Sequence, residues 1–136
     1  MVKGVSDGLA TSTVNVGMEV QVFGVKKSPE TRKALRFFSE RRVKTHFVDF
    51  AERAISPGEL KRFAQRHGID ALIDRDSRAF AALGLRHAIL SEDRWLDKLV
   101  EEPLMLRMPL VRQVGPGAKG LTVGLSEDEW RRWTST

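Results

Sequence analysis

The feature that most constrains the fold is a strand, a helix and a second strand that follow one another with short connections in residues 18–50. Residues 18–24 alternate apolar and polar side chains, which is the two-residue period of a strand. Ser28 followed by proline is typical of a helix N-cap, and apolar spacing predicts a helix over residues 29–41. Residues 43–50 are rich in β-branched and aromatic side chains and predict a second strand. A strand that follows a helix after so short a loop is expected to run parallel to the first.

Capping signals divide the middle of the chain into helices. The sequence Ser-Pro-Gly-Glu at residues 56–59 is a capping box, and the helix that it begins is expected to end at Gly68. Ser91 is the predicted N-cap of a further helix that ends before Pro103. Residues 69–85 between them carry apolar side chains among charges, so the whole middle segment is predicted to be helical.

The last third of the chain is predicted to form a hairpin and a short helix. Two apolar runs flank the turn Gly-Pro-Gly at residues 115–117 and predict antiparallel strands. Residues 126–129 resemble another capping box, with Leu125 and Trp130 placed to form a hydrophobic staple. The predicted order is β-α-β, a helical insert, then β-β-α. This is the order of an α/β thioredoxin-like fold, a four-stranded mixed sheet with helices on both faces.

Length and composition bound the class of protein. A chain of 136 residues can bury one core, so we expect one domain over residues 18–136, preceded by a flexible Gly- and Ser/Thr-rich leader at residues 1–17. No apolar run approaches the roughly 20 residues of a membrane span, and no signal-peptide pattern opens the chain. We therefore expect a cytoplasmic protein with no membrane contact.

The residue types that are missing narrow the chemistry further. The chain has no Cys, which excludes disulfides, thiolate metal ligands and a cysteine nucleophile. His46, His67 and His87 do not form a helix-spaced ligand pair, so we expect neither a metal site nor a cofactor. Of the net charge of +5, residues 26–66 carry +7 and the remainder −2, so the positive charge is local.

Five segments in register resemble the arsenate reductase (ArsC)/Spx family. They span roughly Met18 to Trp133, in the order that the predicted topology requires; the segments are Phe23–Ala34, Val48–Phe50, Ser56–Leu60, Leu106–Val111 and Val123–Glu129. The resemblance implies the thioredoxin-like fold independently of the strand and helix pattern. It also implies that Pro109 is cis, because folds of this type place a cis proline at the start of the third strand.

The resemblance also places the family's reactive cysteine at Ser28. A helix N-terminus and nearby cations lower the pKa of a cysteine until the thiolate attacks arsenic or a disulfide, whereas a serine hydroxyl does not ionise in this way. Thr31 stands where Spx-type CxxC members carry their second cysteine. Both redox positions are therefore absent, which predicts a cysteine-less pseudoenzyme.

Family arginines that hold the oxyanion are also replaced. The position before Pro109 is Met108, with the nearest guanidinium displaced to Arg107. The alignment places Asp74 at the arginine of the helical insert and Gly124 at the arginine near the last strand. We therefore expect a cleft less cationic than that of a reductase and no thiol-dependent arsenate reduction.

Two interpretations of the Ser28 loop stay open at this point. Its hydroxyl can serve as a helix N-cap, or it can hold glutathione or act as a nucleophile, as hydroxyls do in some thioredoxin-fold transferases. The same loop can bind a weakly held phosphate or sulfate through the helix N-terminus and its neighbouring cations; the candidate anion-binding residues are Lys26, Lys27, Ser28 and Arg32.

The favoured reading is a redox-inactive ArsC/Spx-like protein that acts by binding a protein, with a link to transcription, or by weak anion binding. Spx-type members contact the C-terminal domain of the RNA polymerase α subunit, which suggests that partner by analogy alone. The candidate partner surface is the basic helix with Arg32, Lys33, Arg36, Arg41 and Arg42. We expect no direct nucleic-acid binding and a monomer. The alternative is an enzyme, a divergent arsenate reductase or a glutathione-dependent oxidoreductase or transferase that uses the Ser28 loop.

Overall fold

The computed structural model describes residues 18–135, and the predicted leader lies outside this range. Over these residues the chain forms four strands, six helices and one 3-10 turn, in the following order: β1 Glu19–Gly24, α1 Pro29–Glu40, β2 Lys44–Asp49, α2 Pro57–His67, α3 Ile69–Leu72, α4 Arg78–Ala82, α5 Glu92–Glu101, the 3-10 turn Pro103–Met105, β3 Leu110–Val114, β4 Leu121–Val123 and α6 Glu127–Thr134. No helix in the described range is long and apolar enough to cross a membrane.

The sheet has the strand order β2-β1-β3-β4. β1 and β2 are parallel, whereas β3 pairs antiparallel with both β1 and β4. This is the mixed four-stranded sheet of a thioredoxin-like fold, with the helical insert between β2 and β3, and it confirms the predicted fold class. The helix α1 connects the two parallel strands β1 and β2, as the βαβ unit predicted from sequence requires.

Hydrophobic side chains of the described residues gather into two clusters, one on each face of the sheet. On one face Val20, Val22 and Val111 pack with Phe37 and Phe38 of α1 and with Trp130 of α6. On the other face the insert helices pack around Phe23 and Leu110; their largest fully buried members are Phe63, Leu60, Leu72 and Leu99. Sheet alternation explains this division, since successive side chains of β1 and β3 point to opposite faces.

The predicted N-caps of the first, second and fifth helices are confirmed. Ser28, Ser56 and Ser91 each accept a hydrogen bond from the backbone N–H three residues on, at 3.1, 3.1 and 3.2 Å. Gly68 ends α2 with φ +86°, a conformation that glycine adopts without a steric penalty. Such local signals are well defined in sequence because the cap and its donor are only three residues apart.

The predicted capping box before α6 is wrong. Ser126 makes no cap to the helix; its hydroxyl donates to the carbonyl oxygens of Val123 and Gly124 at 3.4 and 3.1 Å. The Glu129 carboxylate, which the box would direct back to Ser126, instead accepts hydrogen bonds from Arg132 and from the Trp133 indole. Leu125, the expected staple residue, is 42% exposed. The Ser126 hydroxyl is therefore bonded within the turn that follows β4, and its side chain does not cap α6.

Tertiary contacts hold α6 in place of a cap. Its eight residues are too few to form a stable isolated helix. Trp130 is fully buried and packs against Phe38, with a centroid distance of 5.1 Å and the rings tilted by 49°. Its indole N–H donates to the Thr122 hydroxyl of β4 at 2.8 Å. The buried indole therefore fixes α6 to both the sheet and α1.

Candidate functional site

The loop after β1 places Ser28 at the N-terminus of α1, beside an open cleft. Ser28 has extended backbone angles, and its Oγ accepts the Thr31 N–H at 3.1 Å. A turn holds the loop, because the Ser28 N–H donates to the Val25 carbonyl at 3.1 Å. Pro29 at the first helical position has no N–H to offer a ligand. Ser28 is thus an N-cap, as one of the two sequence-based interpretations expects. Its hydroxyl oxygen accepts a hydrogen bond from the first turn of α1.

Thr31 lies one helical turn further on and is fully buried. Its Oγ1 has no hydrogen-bond partner among the described residues. The side chain packs against the end of β1 so closely that a Cβ built on Gly24 would stand 2.4 Å from Thr31 Oγ1. The residue at the second redox position therefore faces the sheet, and it does not line the cleft beside Ser28.

The cations around the loop are only partly directed to the cleft. Lys27 and Ser28 line it, whereas the Arg32 guanidinium turns back and donates to the Lys26 carbonyl at 2.7 Å. Glu30 also lines the cleft and adds a carboxylate at the helix N-terminus. Of the four candidate anion-binding residues, the structure therefore brings two to the cleft, in company with an acidic side chain.

The Met108-Pro109 peptide bond is cis, as the resemblance implies. Met108 lines the cleft, and β3 begins directly after the proline. Arg107 also reaches the lining, but its guanidinium donates to the carbonyl oxygens of Ala71 and Ile73 at 3.3 and 3.4 Å. Its aliphatic stem passes over Gly124, where a Cβ would lie 3.4 Å from Arg107 Cδ. The displaced arginine thus fastens the insert to the segment before β3.

The insert contributes carboxylates at the place where the family alignment expects an arginine. Asp74 and Asp76 both line the cleft, and Asp74 is held by its backbone N–H, which donates to the Met105 carbonyl at 2.8 Å, and by its Oδ1, which accepts the Asp76 N–H at 3.1 Å. The neighbouring Arg75 is drawn away: it pairs with Asp70 at 3.3 Å and lies over the Phe80 ring. An arginine one position from the expected site is therefore no substitute for it.

The whole cleft has a volume of about 880 Å³ and a mixed lining. Three cationic and three acidic side chains share it; they are Lys27, Arg78, Arg107, Glu30, Asp74 and Asp76. The apolar part of the rim includes Leu104 and Leu125, which are 54% and 42% exposed. Sequence reasoning missed Asp76, Arg78 and both leucines. The sequence carries no clear signal for either leucine, because Leu104 lies in an apolar run between Pro103 and Met105 and Leu125 fits the pattern of a hydrophobic staple.

The cations predicted to form the partner surface lie in different environments in the structure. Arg32, Lys33 and Arg36 are exposed on α1, and their spacing places them on one face of the helix. Arg41 instead lies 3.6 Å above the Phe37 ring and donates to the Phe37 carbonyl. Arg42 follows the helix with φ +59° and is exposed. The predicted partner surface therefore consists mainly of three α1 side chains.

These observations define a thioredoxin-fold protein with a serine-capped loop after β1 and a cis proline before β3. The sequence profile of the ArsC family matches residues 23–133, and the chain belongs to the ArsC family. It is 31% identical over 98 residues to the global transcriptional regulator Spx of Lactiplantibacillus plantarum, a match that covers 67% of this chain and 71% of that protein.

Solved structures share the fold at lower identity. The protein YffB (PA3664) superposes with a TM-score of 0.73 at 22% identity, covering 83% of this chain and 96% of that one. An arsenate reductase from Vibrio cholerae superposes with a TM-score of 0.64 at 24% identity, covering 75% of this chain and 87% of the reductase.

Proposed function

We propose that this protein is a redox-inactive member of the ArsC family that acts by binding a protein partner linked to transcription. The observation that carries the proposal is the state of the cleft beside Ser28. It retains the loop, the helix N-terminus and the cis proline, yet it presents a capping hydroxyl in place of a thiolate. A site of this shape can receive a chain segment but lacks the group on which thiol chemistry depends.

Arsenate reduction through thiols needs a nucleophile and an oxyanion cradle. The sulfur of a thiolate attacks arsenic, and a second thiol then attacks that sulfur to release the reduced product and form a disulfide. Ser28 can do neither step. The Arg107 guanidinium, next to Met108 and Pro109 in sequence, donates to two backbone carbonyls. Arg78 also lines the cleft, but Asp74 and Asp76 line it too and would repel an oxyanion.

The lining of the cleft favours a polypeptide over a small anion. Equal numbers of cationic and acidic side chains give it little net charge, and the exposed Leu104 and Leu125 offer apolar contacts at its rim. Exposed apolar side chains next to polar ones are typical of surfaces that bind proteins. The similarity to a global transcriptional regulator supports a partner in the transcription machinery.

The exposed cations of α1 give the proposed interface its electrostatic character. Arg32, Lys33 and Arg36 would meet an acidic surface, and the C-terminal domain of the RNA polymerase α subunit is the first partner to test. Charges at the rim of an interface act mainly on the association rate and its salt dependence. We therefore expect binding that slows as ionic strength rises.

The enzymatic part of the proposal is tested with arsenate, glutathione and glutaredoxin. We expect no turnover by the wild-type protein. We also expect none by Ser28→Cys, because Asp74 and Asp76 share the cleft with Arg78 and the substituted thiol would still lack a net cationic cradle for the oxyanion. Steady-state turnover by the wild type that Ser28→Ala abolishes would contradict the proposal and favour the enzyme. Titration with glutathione gives a second check, since saturable binding that Ser28→Ala removes would also favour the enzyme.

The binding part is tested by surface plasmon resonance against the isolated α-subunit domain of the source organism. We expect Arg32→Glu combined with Arg36→Glu to reduce the association rate at least about tenfold. The matched control is Arg86→Glu combined with Arg94→Glu, which changes the charge by the same amount at exposed positions of the insert. Equal loss in the two variants, or no binding by the wild type, would contradict this partner surface.

A further inference from the structure

A second cleft lies on the α2 side of the sheet and shares no lining residue with the cleft beside Ser28. Its walls come from the C-terminal half of α2, from β3 and from the turn that leads into β4; the lining residues that matter are Arg62, Arg66, Arg112, Gln113, Lys119 and Gly120. Its volume is about 380 Å³, near the lower end of the roughly 300–1,000 Å³ found for small-molecule sites.

The lining of this cleft is cationic without compensation. It contains Arg62, Arg66, Arg112 and Lys119, and no acidic side chain among the described residues lines it. Arg62 and Arg66 stand one helical turn apart, so their like charges repel each other. Within residues 18–135, the side chains of Arg62, Arg66 and Lys119 have neither a hydrogen bond nor an ion pair.

The terminal helix shows the opposite arrangement. Arg131 pairs with Glu127 and Asp128, and Arg132 pairs with Glu129, at distances between 2.6 and 3.2 Å. The cations of α6 thus have acidic partners in the protein, whereas the four cations around this cleft lack them among the described residues. An anion that binds in the cleft would supply the missing negative charge.

The floor and rim of the cleft are held in position. Arg112 is half-buried on β3, and its Nη1 donates to Gln21 Oε1 at 3.2 Å, which orients the guanidinium while its other N–H groups stay available. Gln113 Oε1 accepts the Gly120 N–H at 3.2 Å. A Cβ on Gly120 would stand 2.4 Å from the Trp133 ring, so the turn is packed tightly against α6. Arg112 and the turn are therefore ordered before binding, which favours affinity, whereas the exposed Arg62, Arg66 and Lys119 would be ordered by the ligand.

We propose that this cleft binds a ligand through two or more phosphate groups. Three of its four cations are arginines, whose planar forks match phosphate oxygens in pairs. No aromatic ring of the described residues lines the cleft, so it offers no stacking platform for a base. Ala118 and Leu121 are its apolar contacts, which is little for peptide side chains. The phosphates themselves are the recognised feature, and a free oligophosphate fits the small volume best.

The test is calorimetric titration of the full chain with tripolyphosphate, at low salt and at about 0.15 M salt. We expect saturable one-to-one binding that weakens with salt, and a loss of at least about tenfold in affinity for Arg62→Gln combined with Arg66→Gln. The control is Arg86→Gln combined with Arg94→Gln, which removes two exposed charges from the insert and should change affinity by less than about twofold. Circular dichroism of both variants verifies that they fold.

Three outcomes would overturn the proposal: no saturable binding, equal weakening in the two variants, or binding of a poly-glutamate peptide as tight as that of tripolyphosphate. The last would mean that carboxylates suffice. A single-stranded RNA oligomer provides the other arm. If it binds more tightly than tripolyphosphate and depends on Arg62 and Arg66, the phosphate chemistry holds and the groups come from a nucleic-acid backbone.

Discussion

The hydrogen bond between the Trp130 indole and the Thr122 hydroxyl should be a main anchor of α6. Both side chains are buried, and the bond is 2.8 Å long. Thr122→Val keeps the shape of the side chain but leaves the indole N–H unpaired, which costs about 1–2 kcal/mol in the free energy of unfolding. Trp130→Phe also removes part of a ring packed against Phe37 and Phe38, and should cost about 2–3 kcal/mol.

The double variant separates the hydrogen bond from the packing. With both polar partners removed, neither is left unsatisfied, so the double variant should lose about 1 kcal/mol less than the sum of the two single variants. Urea unfolding followed by far-ultraviolet circular dichroism measures all three free energies without relying on Trp130 fluorescence. At this chain length each kcal/mol should lower the melting temperature by roughly 4 °C.

Trp133→Phe is the matched control on the same helix. Trp133 is only partly buried, and its indole bonds the Glu129 carboxylate at 3.1 Å near solvent, so its loss should cost less than about 1 kcal/mol. Strict additivity of Thr122→Val and Trp130→Phe, or a cost for Thr122→Val below about 0.3 kcal/mol, would refute the anchor.

Three further outcomes are expected. Ser28→Ala should lower the free energy of unfolding by about 1 kcal/mol in chemical denaturation, through loss of the α1 cap; an unchanged value would mean that the cap contributes nothing. The hydrogen bond from Arg132 lowers the pKa of Glu129, so its contribution is present at neutral pH and is lost as pH falls through the lowered pKa. Glu129→Gln should therefore be slightly less stable than wild type at pH 7, and the difference should shrink in acid-unfolding curves as pH falls through the lowered pKa of Glu129; a constant difference would contradict this origin. Gly24→Ala should cost about 1–3 kcal/mol, with partial recovery when Thr31→Ala is added to remove the two closest side-chain atoms, as judged by melting temperature; no recovery in the double variant would contradict the clash.

The sequence predicts the fold well because its signals are local. The caps at Ser28, Ser56 and Ser91 each depend on a donor three residues away, and the alternation of β1 follows from its own side chains. The resemblance adds the cis bond at Pro109, which periodicity alone does not indicate.

The candidate site is predicted less completely because its side chains contact residues that are distant in sequence. The Arg107 guanidinium donates hydrogen bonds to carbonyl oxygens 34 and 36 residues earlier in the chain, and the residues next to Arg107 in sequence do not predict these bonds. Thr31 does not line the cleft beside Ser28, because it is buried against the end of β1. The cap expected at Ser126 fails for the same reason, since the end of β4 offers competing acceptors that no capping pattern takes into account.

The close approach of Gly24 and Thr31 couples two positions that are seven residues apart in sequence but adjacent in space. Any side chain at position 24 would need the space that Thr31 occupies, so substitutions at the two positions are coupled. A larger residue at the end of β1 requires a smaller residue at position 31 of α1. A cysteine at position 31 would occupy the same fully buried space beside Gly24, and its sulfur would not line the cleft beside Ser28.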